Sequence, residues 1–309
     1  MSDVVICECF ARDGLQHEPE FIGSDTKVAL IQQIAAAGFQ RVEATSYSNP
    51  KVVPQFADAS EVLQRLQRQP NVFYKASCAN VRAVERALAD ADAGYGANEI
   101  SLLVSATDSH SERNLRRSRE DQWTNIAEMV ALAGERFRKI GTISMAFGCS
   151  FEGHVAPDSV LKDIERFANL GVHYITLGDT TGTATPKQVK SLFAAAIAAF
   201  PEVNFISHFH DTRGTGLVNC LAAYEVGVRY HDSALGGVGG HPAKVKYGGG
   251  HTGNVCTEDL VNLLESEGIR TGIDLDLLMK LSAACEEALG RTLHSRVAQS
   301  GLNPLLPRG

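Results

Sequence analysis

Two imidazoles stand two residues apart in the apolar run Ile206-Ser207-His208-Phe209-His210-Asp211, and on a β-strand that spacing turns both rings to one face. Neutral imidazole is a common ligand of divalent metals. The same pair could instead be two hydrogen-bonded core histidines, because one strand with two histidines is not diagnostic. The choice rests on what the rest of the chain brings to that point.

Short β-rich runs alternate with helical stretches along the chain, the pattern of βα units closing on a parallel sheet. Eight strands are expected: Val4–Cys9, Arg41–Ala44, Val72–Ala76, Glu99–Val104, Thr142–Phe147, Tyr174–Leu177, Asn204–Phe209 and Arg229–Ser233. The helices expected between them include Lys27–Ala37, Ser60–Gln67, Val81–Ala91, Glu120–Phe137, Pro157–Asn169, Pro186–Ala199 and Gly216–Val226. Gly38, Gly171 and Gly227 each follow a helical stretch, where glycine accepts the left-handed conformation that ends a helix. No Gly-x-Gly-x-x-Gly turn follows the first strand, so a (β/α)8 TIM barrel is favoured over an open dinucleotide-binding sheet. The 309 residues fit one catalytic barrel domain, which needs about 250, with roughly 253–309 left as a C-terminal helical extension.

Catalytic groups of such a barrel come from the carboxyl ends of the strands and the loops that follow. That rule gathers Arg12-Asp13-Gly14 after the first strand, Glu43 at the end of the second, Asp179 after the sixth, and His208 and His210 ending the seventh. His241 and Asn254 fall in the glycine-rich loop after the eighth. Asp13, His208, His210 and the amide oxygen of Asn254 would make a mixed oxygen and nitrogen set. Such a set suits Mg2+ or Mn2+ better than zinc, whose closed structural sites prefer thiolates. Asp13 also reads as a turn residue before Gly14, and Asn254 as a cap beside Gly253. The planar guanidinium of Arg12 is suited to an oxyanion. Glu43 and Asp179 could pair with Arg12, cap the helix after Thr180, or touch the reacting groups.

A hydrophobic fraction of 44% and a charged fraction of 21% describe a globular protein, and no apolar run is long enough to span a bilayer. Met1-Ser2-Asp3 leads straight into Val4-Val5-Ile6 without a basic leader, which gives a cytoplasmic expectation. The seven cysteines include no Cys-x-x-Cys pair and fit reduced thiols. A net charge of −7 argues against nucleic acid as a partner, so an anionic substrate needs local basic groups. Arg113-Asn114-Leu115-Arg116-Arg117-Ser118-Arg119 could receive the phosphates of a ligand or be a solvated surface.

At Ala11-Arg12-Asp13-Gly14-Leu15-Gln16-His17-Glu18 the chain resembles the 3-hydroxy-3-methylglutaryl-CoA lyase family, metal-dependent TIM-barrel lyases. The resemblance continues through Val42-Glu43-Ala44-Thr45-Ser46, Asn49-Pro50-Lys51-Val52-Val53-Pro54-Gln55 and Gly148-Cys149-Ser150-Phe151-Glu152-Gly153. It extends to Leu177-Gly178-Asp179-Thr180, His208-Phe209-His210-Asp211-Thr212 and Gly253-Asn254, in the family's order. It implies a divalent metal on Asp13, His208, His210 and Asn254, Arg12 as an electrophilic group, and Glu43 and Asp179 as acid-base or metal-orienting groups. The reaction implied is cleavage of a branched 3-hydroxyacyl-CoA to acetyl-CoA and a ketone or keto acid, by a homodimer. Gln16, Lys51 and Lys244 are the further side chains expected to bind substrate.

The family's lyases carry a cysteine in a Gly-Gly-Cys-Pro turn, whereas this chain reads Gly239-Gly240-His241-Pro242 and continues through a long Ala243–His251 segment. An imidazole titrates nearer neutrality than a thiol, so His241 is expected to replace that thiol as proton donor or base, with His251 as its rival. The glycines and Lys244 suit a lid over an anionic substrate. Two other readings are an aldolase or condensing enzyme acting on a free 2-oxo acid, and a metal-binding barrel without catalysis.

Overall fold

The structure is a computed structural model and describes residues 2–239 and 253–306. His241, Lys244 and His251 lie outside the described residues. Eight parallel strands close in chain order into a barrel: β1 (Val5–Glu8), β2 (Arg41–Ser46), β3 (Phe73–Cys78), β4 (Glu99–Ser105), β5 (Arg138–Ser144), β6 (Tyr174–Asp179), β7 (Asn204–Phe209) and β8 (Tyr230–Ser233). β8 pairs with β1 from Val5↔Tyr230 to Glu8↔Ser233, so the sheet has no edge. All eight expected strands exist. The fifth is displaced, running Arg138–Ser144 where Thr142–Phe147 was expected, because its polar start Arg138-Lys139 hides the strand and its apolar end belongs to the next turn.

The helices on the outside are α1 (Ser24–Ala36), α2 (Ala59–Arg65), α3 (Val81–Asp92), α4 (Asp108–Leu115), α5 (Arg119–Ala133), α6 (Pro157–Asn169), α7 (Pro186–Ala199) and α8 (Gly216–Glu225). Beyond them lie α9 (Thr257–Ser266), α10 (Leu275–Leu289) and α11 (Arg296–Ser300), with α9 against α8 and α10 against α1. Thr185 and Gln188 close a reciprocal capping box at the start of α7. Asn80 caps α3 and Ser118 caps α5 by accepting a backbone N–H. The helices bury Ile31, Ile34, Val84, Ile126, Ile164, Phe167 and Phe193 against the barrel. The apolar core therefore forms a shell between sheet and helices.

Inside the barrel the filling is polar. Arg41 is 1% exposed and binds Glu99 at 2.7 Å, while Glu99 also takes Arg138 on β5. A buried network of this kind contributes little net stability against an apolar alternative, yet removing one member strands its partners. It sets the side chains above it. A register shift between Glu43 and Thr45 on β2 re-aims the strand at the level of the candidate site.

Candidate active site at the carboxyl end of the barrel

β1 ends in a π-helical turn, Phe10–Gly14, which carries Arg12 and Asp13. Glu8 anchors it. This fully buried carboxyl accepts N–H groups of Phe10 and Leu235, each at 2.9 Å, and faces the Thr257 hydroxyl at 2.5 Å. One side chain thus ties the Arg12–Asp13 turn to the segment after β8 and to the one that carries Asn254. Burial pushes the Glu8 carboxyl up to about 8.

Asp13, His208 and His210 offer ligand atoms that all lie within 4.8 Å of one another. The two Nε2 atoms are 3.3 Å apart, a spacing that two nitrogens on one cation can adopt. Burial alone would raise the Asp13 carboxyl, but Arg12, then His208 and His210, hold it down at about 2. Burial, with His208 beside it, lowers His210 to about 4. An ionised carboxylate and a neutral imidazole are the forms a metal takes. Asn254 donates its amide to Asp13 Oδ2 at 2.5 Å and to Val238 O at 3.0 Å. Gly239, at φ +100°, closes over this pair: a Cβ there would lie 2.5 Å from Asn254 Nδ2 and 2.9 Å from the Asp13 carbonyl oxygen.

His208 Nδ1 lies 3.4 Å from Asp232 on β8. A carboxylate behind an imidazole fixes its tautomer and raises its basicity, the usual outer partner of a metal histidine. Burial would lower His208, but Asp232 outweighs it and raises the imidazole. Lys75, 4% exposed on β3, sits 3.5 Å from Glu43 and 3.8 Å from Asp232. Those carboxylates outweigh its burial and keep it an ammonium. Arg12 lies 3.0 Å from Asp13 and 3.6 Å from Glu43, and its buried Nε has no hydrogen-bond partner. A guanidinium edge left this way is positioned for an oxygen that arrives with a ligand.

Cys7, Cys9 and Asp232 form a second compact group, but Asp232 already faces Lys75, Arg41 and His208. A hydrogen bond to Cys7 and burial raise the Cys9 thiol well above its ordinary range. A protonated Cys9 thiol beside two fixed cations makes a poor cation site.

Arg12, Asp13, Gln16, Glu43, His208 and His210 line one cavity of about 150 Å³ together with Lys75 and Asp232. Asp179 is not among its walls. Its oxygens accept Thr183 N at 2.9 Å and Ala184 N at 3.0 Å, so it bends the chain between β6 and α7 instead of facing the reacting groups. Lys51 is exposed in the turn after β2 and also stands outside the cavity lining. The basic run is largely engaged: Arg113 stacks on Phe151 and Arg119 holds Asp163 through two bonds of 2.6 Å. Lys75, Asp232 and Glu8 were not expected from the sequence; a charged residue in a strand that the fold buries, as Lys75 in Phe73–Cys78 and Glu8 in Val5–Glu8, is the signal that marks the first and last, whereas Asp232 stands in the polar strand Tyr230–Ser233.

A closed (β/α)8 barrel with an Asp-His-His cluster and an arginine at its carboxyl-end mouth defines a TIM-barrel enzyme with a candidate metal centre. The HMGL-like family model matches residues 3–285, and the chain belongs to that family. It is 35% identical to the hydroxymethylglutaryl-CoA lyase of Bacillus subtilis over 302 residues, covering 96% of each chain. It is also 35% identical to the human mitochondrial hydroxymethylglutaryl-CoA lyase over 298 residues, 96% of this chain and 89% of that one. The structure of an HMG-CoA lyase from Acinetobacter baumannii, in complex with coenzyme A and 3-methylmalate, superposes with a TM-score of 0.91 at 40% identity. That match covers 99% of this chain and 97% of that one. The chain is thus a hydroxymethylglutaryl-CoA lyase-like enzyme, in a family that is generally metal-dependent. Among relatives of similar identity some are named mitochondrial and some cytoplasmic, and no helix among the described residues is long and apolar enough to cross a membrane.

Proposed function

We propose that this enzyme splits the C2–C3 bond of a branched 3-hydroxyacyl-CoA, 3-hydroxy-3-methylglutaryl-CoA or a relative such as citramalyl-CoA, releasing acetyl-CoA and a keto acid. The observation that carries this reading is the convergence of Asp13, His208 and His210 with Arg12 and Glu43 on one cavity. Mg2+ or Mn2+ would be held by Asp13, His208 and His210, and by Asn254 after a half-turn of its carboxamide exchanges nitrogen for oxygen. Bound there, the ion lowers the cost of a developing alkoxide. Glu43 accepts the C3 hydroxyl proton, the C2–C3 electron pair moves to C2 as the C3 carbonyl forms, and Arg12 meets the charge growing on the thioester oxygen. A proton delivered to C2 completes acetyl-CoA. Gln16 lines the substrate's path, and Asp179 keeps the β6–α7 turn in place.

The acyl-CoA reading is supported by the Acinetobacter relative, which holds coenzyme A. Cytoplasmic location and a homodimer belong to the same reading, as does Lys244 as an anion contact. We assign delivery of the C2 proton to His241. In sequence His241 stands in the turn where the family's lyases carry a cysteine, and an imidazole titrates nearer neutrality than a thiol. In deuterated buffer the enzyme is expected to place one deuterium in the acetyl-CoA methyl, and His241→Ala is expected to slow turnover and that incorporation together by about a hundred-fold. Unchanged turnover and exchange in this variant would remove His241 from the reaction.

A further inference from the structure

The cavity has two unlike halves. Ionisable groups come from β7, β8, the turn after β1, β2 and Lys75 on β3, whereas beyond Lys75 the strands β3 to β6 add hydroxyls: Ser77, Ser101, Thr142, Ser144 and Thr176 line the same space. Register places them side by side, with Ser77 opposite Ser101 and Thr142 opposite Thr176. Inward positions of these barrels are ordinarily filled by branched apolar side chains, so the hydroxyl arc is a departure from how such a barrel packs.

The proton positions within the arc follow from its partners. Ser77 Oγ is 2.9 Å from Glu43 Oε1 and 3.0 Å from Ser101 Oγ. Glu43, facing Arg12 and Lys75, only accepts, so the single Ser77 proton goes to it. The proton between the two serines must then come from Ser101, which leaves Ser101 with lone pairs alone for any ligand in the cavity. Thr176, 1% exposed, has a buried hydroxyl with no hydrogen-bond partner. A volume of about 150 Å³ is below the ~300–1,000 Å³ of pockets for drug-sized ligands, a size that suits the short acyl end of a thioester and not its coenzyme A end.

Resting on the lyase reading above, we propose that the arc is a specificity site for a hydroxylated acyl branch. Where 3-hydroxy-3-methylglutaryl-CoA carries a methyl, the preferred substrate carries a hydroxymethyl whose hydroxyl donates to Ser101 and accepts from the arc. A carboxylate in that place would set its own lone pairs against those of Ser101. A site built to bond a substrate hydroxyl discriminates strongly against the analogue that lacks it.

The test offers the Mn2+-loaded enzyme three thioesters that differ only at the C3 branch: methyl (3-hydroxy-3-methylglutaryl-CoA), hydroxymethyl, and carboxylate (citryl-CoA). The expected order in kcat/KM is hydroxymethyl over methyl by at least about ten-fold, with carboxylate last. Ser101→Ala and Thr176→Val are each expected to shrink the hydroxymethyl-to-methyl ratio several-fold. Preference for the methyl or the carboxylate thioester, or a ratio that neither variant moves, overturns the inference and leaves the lyase reading standing. Cleavage of none of the three also overturns this inference, and the lyase reading falls with it if citramalyl-CoA, offered alongside, is left intact as well.

Discussion

Arg12→Met is expected to lower kcat by about a thousand-fold while metal affinity changes only a few-fold. Removing a single oxyanion donor typically costs about a hundred- to a thousand-fold, and this one carries a full charge into a cavity it shares with Glu43 and the metal cluster. Its contacts are with Asp13 and Glu43, both within the site, and its buried Nε makes no hydrogen bond. The loss therefore falls on turnover. Arg12→Lys keeps the charge but not the planar fork, and is expected to recover no more than about ten-fold of the loss. Steady-state kinetics beside metal titration calorimetry make the check, and a variant with near-normal kcat would remove Arg12 from the chemistry.

Chelation of the enzyme is expected to reduce activity at least a hundred-fold, with Mn2+ or Mg2+ restoring it. Asp13→Ala is expected to abolish that restoration, because it removes the oxygen that balances two imidazoles. Asp232→Asn supplies the graded case. It leaves all four proposed ligands in place but weakens the carboxylate behind His208, and outer partners of this kind are worth about ten- to a hundred-fold in metal affinity. Asp232 also faces Arg41 and Lys75, so thermal unfolding of each variant is measured alongside. Loss of metal affinity with an unchanged Tm separates ligand orientation from collapse of the buried network. Equal activity with and without chelator would contradict the metal assignment.

The barrel was legible in the sequence because its information is local: β-rich runs recur, and glycines end the helices at Gly38, Gly171 and Gly227, all three at positive φ. Where the chain departs from local pattern, legibility fails. α4, Asp-Ser-His-Ser-Glu-Arg-Asn-Leu, is polar throughout and shows no apolar period, so no helix is expected there; packing against β4 and α5 holds it. Arg12, Asp13, Glu43, His208 and His210 were legible because the barrel rule alone collects strand ends on one face. Asp179 obeys the same rule and is nonetheless spent on backbone N–H groups. Strand position cannot separate a carboxylate that faces a cavity from one that folds under its own loop. Lys75 and Asp232 lie mid-strand, and their pairing across the barrel depends on closure of the sheet, which no single segment encodes.

Incubation of the Mn2+-loaded enzyme with 3-hydroxyacyl-CoA thioesters and, separately, with free hydroxy-oxo acids, followed by mass spectrometry of the products, decides whether the enzyme is an acyl-CoA lyase. Acetyl-CoA and a keto acid are expected in equal amounts from a thioester, with no cleavage of the free acids. Release of a 2-oxo acid from a free acid, with the thioesters left intact, would contradict it.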